Sequence, residues 1–87
     1  MGTTVKLDHP IKVNGKETTE LQMRRPKVAD LKKVEQTGGT DTERAVTMLA
    51  RLTGLVPEDF DQLDAADYLK LDRAYTDFLS ASPEASS

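Results

Sequence analysis

The dipeptide Asn14-Gly15 constrains this chain more than any other feature, because it divides two alternating runs. Val5, Leu7, His9, Ile11 and Val13 hold the odd positions before it, with Lys6, Asp8 and Lys12 between them. Thr19, Leu21 and Met23 hold the odd positions after it, with Thr18, Glu20, Gln22 and Arg24 between. A period of two marks a half-buried strand, and Asn-Gly is a strong hairpin signal. A two-residue loop pairs odd with even and sends Leu21 and Met23 away from Leu7 and Ile11. A three-residue loop with Gly15 in the left-handed bulge position restores the parity. The expectation is therefore Leu7 opposite Leu21 and Val5 opposite Met23, with His9 on the apolar face and Pro10 marking an edge.

Helical signals follow. Pro26 suits the first turn of a helix, whose stripe is Val28, Leu31 and Val34, ended by Gly38-Gly39. Thr40 with Glu43 forms a capping box for a second helix, with Ala45, Met48, Leu49 and Leu52 on one face. Gly54 is a left-handed terminator with Leu55 just beyond. Pro57 opens a short helical turn over residues 57–62. Asp64 caps a last helix, with Asp67 in its first turn and Tyr68, Leu71, Tyr75 and Phe78 as its stripe. The predicted fold class is α+β: an N-terminal β-hairpin followed by three to four α-helices packed on one face. Residues 1–80 form one domain, and residues 81–87 form a disordered polar tail.

A chain of 87 residues supports only a thin core, so a partner or a second copy adds useful burial. There is no cysteine, hence no disulfide framework and no thiolate site. No run approaches the length of a membrane span, and the first residues lack a hydrophobic signal core. The expected setting is the cytoplasm, without secretion. Charge is uneven. Residues 1–40 hold eight Lys/Arg against five Asp/Glu, and residues 41–87 hold four against ten. That polarity favours head-to-tail self-contact or a basic partner, against the plainer reading of an unevenly charged solvated surface.

Chemistry finds little footing. A single histidine without cysteine makes a poor zinc site. Glu58, Asp59, Asp61, Asp64 and Asp67 lack the alternating ligands, glycine and final glutamate of a calcium loop. Gly38-Gly39 has no lysine at phosphate-loop spacing. The expectation is a protein that is not an enzyme and has no cofactor and no metal. The basic segment 24-RRPKVADLKK-33 is the footprint of a runner-up function, a small nucleic-acid-binding or regulatory domain using Arg24, Arg25, Lys27, Lys32 and Lys33. Against it stand an acidic balance and cations without interleaved aromatics.

Several short pieces occur in a fixed order. They are Leu7, Pro10, Gly15 and Leu21, then Arg25-Pro26 with Asp30-Leu31, then 51-RLTGL-55, then Leu63-Asp64-Ala65-Ala66-Asp67 and Phe78-Leu79. Together they resemble the small phage tail assembly chaperones of Mu-like and related contractile-tailed phages. The polar residues after Leu79 depart from that pattern. The resemblance implies a non-enzymatic protein of the bacterial host cytoplasm. Its partner would be the tape measure protein, a long helical chain, bound before the tail tube polymerises. The tail tube protein is a second candidate partner, and self-association is expected. A minor structural role in the virion is the alternative. Leu and Met on stripe edges are suited to taking an amphipathic helix. Met48, Arg51, Leu52, Leu55 and Leu69 are the candidate partner-binding residues.

Overall fold

A computed structural model describes residues 2–80; the polar tail, residues 81–87, lies outside them. Two strands, β1 (Gly2–Val13) and β2 (Lys16–Arg24), pair antiparallel in a two-stranded sheet. Four helices follow: α1 (Val28–Thr37), α2 (Asp41–Thr53), α3 (Pro57–Phe60) and α4 (Ala65–Ser80). The fold class is α+β, as the alternating and helical patterns indicate. Helix α2 packs on β2, α4 on β1, α1 on α2, and α3 bridges α2 and β1.

The hairpin register departs from expectation. Val13 pairs with Lys16, so the turn is the two-residue Asn14-Gly15. Both turn residues have positive φ, 54° and 81°, the geometry that Asn-Gly favours because its twist matches that of the strands. Parity is restored inside β1. Ile11 pairs with Thr18 but Lys6 with Glu20, so residues 7–10 stand against Thr19 alone. Beyond this bulge Val5 faces Leu21 and Thr3 faces Met23. A bulge re-aims side chains without breaking the strand. Here it brings Val5, Leu7 and Ile11 into the core with Leu21 and Met23. It also turns His9 outward, with its side chain 65% exposed, so His9 does not lie on the apolar face.

The helix boundaries follow local chemistry. Thr40 and Glu43 close the capping box reciprocally, at 2.8 and 3.1 Å. Gly54 takes the left-handed conformation, and the amides of Gly54 and Leu55 both reach the Ala50 carbonyl. Pro57 is the first residue of α3, and Asp64 accepts the Ala66 amide ahead of α4. Helix α1 starts later than Pro26 suggests. Lys27 is its N-cap, and its amide donates to Asp30 Oδ2 at 2.9 Å. The α1 stripe also differs from expectation. Asp30 and Val34 face the core, while Val28 and Leu31 are exposed.

Candidate partner-binding surface

Two buried aspartates organise the molecule. Asp30 is 1% exposed. It accepts a bidentate fork from Arg24, with Nη1 at 2.8 Å and Nη2 at 2.7 Å, plus Arg51 Nε at 3.0 Å. One carboxylate thereby ties β2, α1 and α2 together. The Arg24 fork holds its carboxyl well below the usual carboxylate range; burial pushes the other way, and the Lys27 amide and Arg51 add to the lowering.

Asp67 is fully buried and ties α4 to the β1 bulge. Its two carboxylate oxygens accept the amides of Asp8 and His9, each at 2.9 Å. Burial opposes its ionisation, but these two amides and the nearby Lys70 outweigh that cost, so its pKa is lowered. The ammonium of Lys70 lies 2.9 Å from Asp8 Oδ2 and donates to the Lys6 carbonyl. Farther along β1, Gln62 completes the cover. Its Oε1 accepts the Lys12 amide and its Nε2 donates to the Lys12 carbonyl, at 3.2 and 2.9 Å. Side chains from the helical half therefore satisfy part of the outer edge of β1, which would otherwise offer unpaired backbone groups to another strand.

The five candidate residues fall in different environments. Met48 and Leu52 are core residues, 4% and 2% exposed, out of reach of a partner unless the fold opens. Leu55 is half-buried against the core. Arg51 is committed to Asp30 and borders a cleft of about 380 Å³ with Gln22, Arg24 and Gly54. Leu69 is 62% exposed on the outer side of α4. It lines a separate hollow of about 200 Å³ with Ala66, Lys70 and Arg73. Arg51 and Leu69 share neither cleft, so the five do not make one continuous surface. Other exposed apolar side chains are Val28 and Leu31, which the period assigns to the α1 core stripe, together with Val56 and Leu79, which no stripe includes. The α4 residues Leu71, Ala74 and Phe78, spaced by three and four, project back by one turn onto Asp67 rather than Tyr68, a signal that this acid lies inside.

The basic segment is partly spent on structure. Arg24 belongs to Asp30, and the Arg25 guanidinium sits 5.3 Å from the centroid of the Phe78 ring. Among the described residues no group of three or more His, Cys, Asp or Glu is placed to hold a metal ion. No helix among them is long and apolar enough to cross a membrane.

No curated protein and no solved structure matches the chain. A family model does, that of the "Phage tail assembly chaperone proteins, E, or 41 or 14", over residues 4–80. The match runs from the third residue of β1 to the last residue of α4, taking in the bulge, both aspartate anchors and the exposed face of α4. On that span the chain belongs to the phage tail assembly chaperone family.

Proposed function

We propose that this protein is a non-enzymatic chaperone that binds the tape measure protein in the host cytoplasm before the tail tube polymerises around it. The family supports a role in tail assembly. The observation that carries the finer reading is the outer face of α4, where Leu69 stands 62% exposed beside Ala66. Apolar side chains left in water on a helix are suited to covering the apolar stripe of another helix. Lys70 and Arg73 border the hollow and supply a polar rim. Arg51, at its own cleft, and the half-buried Leu55 stand apart from that face, where a long partner helix reaches them in passing. Met48 and Leu52 serve by holding α2 in place. Copies of the chaperone associate with one another along the long chain, so many weak contacts sum to tight coverage. The tail tube protein is a further candidate, met when the chaperone is displaced.

The test is co-expression with the tape measure protein of the same phage, followed by size exclusion with light scattering. The expected result is a long protein that is soluble only together with this one and co-elutes with several copies of it. Leu69→Asp should abolish co-elution while the circular dichroism and the urea midpoint stay unchanged. Co-elution unaffected by Leu69→Asp would remove α4 as the binding face. An unchanged solubility of the long protein would remove the tape measure reading itself.

A further inference from the structure

We propose that copies of this protein join head to tail. In this contact the exposed face of α1 on one copy seats in the acidic cleft between the α1–α2 turn and α3 of the next. This deepens the self-association in the reading above and rests on it. Val28 and Leu31 are 66% and 48% exposed, one turn apart on the side of α1 away from the core. Such a stripe, on a helix whose packing is chiefly against α2, leaves apolar surface in water. Lys27 and Lys32 flank it, and Glu35 is the acid on the same side. None of the ion pairs among the described residues involves these lysines.

The complementary surface lies at the other end of the same helix. A cleft of about 520 Å³ opens beside Gly39, with Val46 and Pro57 as apolar walls and Glu43 and Asp61 as acids. Glu43 spends one oxygen on the Thr40 amide, while Asp61 takes part in no ion pair among the described residues. Glu58 and Asp59 extend the negative field along α3. A helix with an apolar stripe flanked by lysines is the occupant this cleft suits, and α1 of a second copy, with Lys27 and Lys32 beside Val28 and Leu31, is one.

Charge decides the mode of joining. Pairing α1 with α1 across a two-fold axis brings lysines against lysines, whereas α1 against the cleft brings them against carboxylates. A heterologous contact of this kind leaves one free face at each end and propagates. The two faces are separated by about the length of α1, roughly 15 Å at 1.5 Å per residue, so each added copy advances along the row.

The experiment uses the full chain alone, so its failure leaves tape measure binding to be judged separately. Light scattering across a wide concentration range should show the average mass of the wild type rising steadily beyond two copies, less so at high salt. Leu31→Asp and Asp61→Lys, both at exposed positions, should each hold the mass at one copy. Mixing the two variants should yield a species of two copies and no more, because one intact α1 face and one intact cleft remain between them. Lys32→Glu stands in for Leu31→Asp if that variant unfolds, and should lower the mass likewise. A wild type that stays a monomer throughout, variants that associate like the wild type, or a mixture that remains monomeric would each overturn the proposal.

Discussion

Asp67 accepts the backbone amide of His9 at 2.9 Å across 58 positions of sequence. With the Asp8 amide on its other oxygen, this carboxylate does for the β1 bulge what a neighbouring strand does for a regular edge. The bulge frees backbone donors that the hairpin partner cannot reach, and a buried donor left unpaired is costly. An anion meets two such donors better than a neutral group does.

Replacing Asp67→Asn should therefore destabilise the fold by about 1–3 kcal/mol. The amide keeps one acceptor but turns an N–H toward the second donor. Urea unfolding followed by circular dichroism measures the change. Asp64→Asn, an equally small edit at an exposed N-cap, should be nearly neutral because Asn caps as well as Asp. Equal losses for the two variants would show that the bulge does not depend on Asp67.

Acid should unfold the protein through its two aspartate anchors. Both carboxyls are held below the ordinary aspartate range in the folded state. A depressed folded pKa contributes stability that is fully present above the unfolded value and is lost as pH falls toward the folded one. The urea midpoint should stay level near neutral pH and fall below about pH 5. In the double variant Asp30→Asn, Asp67→Asn, the acid limb should flatten as overall stability drops. An unchanged slope would assign the acid sensitivity to other groups.

Leu52→Ala and Leu69→Ala separate scaffold from surface. Leu52 is 2% exposed and its truncation should cost about 2–5 kcal/mol. Leu69, 62% exposed, should change stability by no more than about 0.5 kcal/mol. Thermal or urea melts of the two variants decide it, and similar losses would contradict the burial of Leu52 or the exposure of Leu69.

Gly54→Ala probes the end of α2. Gly54 has φ of 78° with open space around its missing side chain. The cost is therefore backbone strain alone, about 1–2 kcal/mol. A substitution without effect on the urea midpoint would mean that the α2 terminus rearranges freely.

The sequence by itself determined whatever a few neighbouring residues decide. Asn14-Gly15 names a turn, Thr40 with Glu43 starts α2, Gly54 ends it, and Pro57 and Asp64 open α3 and α4, because each rests on hydrogen bonds within about four positions. The order of hairpin and helices follows from those signals, and so does the family pattern. Only the tertiary structure decided the register, the exposed stripe and the anchors. Alternation demands matched parity but is satisfied equally by a longer turn or by a bulge, and the bulge at residues 7–10 is held by Asp67 from the far half of the chain. Val28 and Leu31 read as core by period, yet α1 is rotated so that Asp30 can meet Arg24 and Arg51. A buried carboxylate with three donor residues outweighs the burial of two aliphatic side chains at the rim. Periodicity weighs apolar residues alone and is blind to that partnership, which brings together residues 24, 30 and 51 from three separate elements.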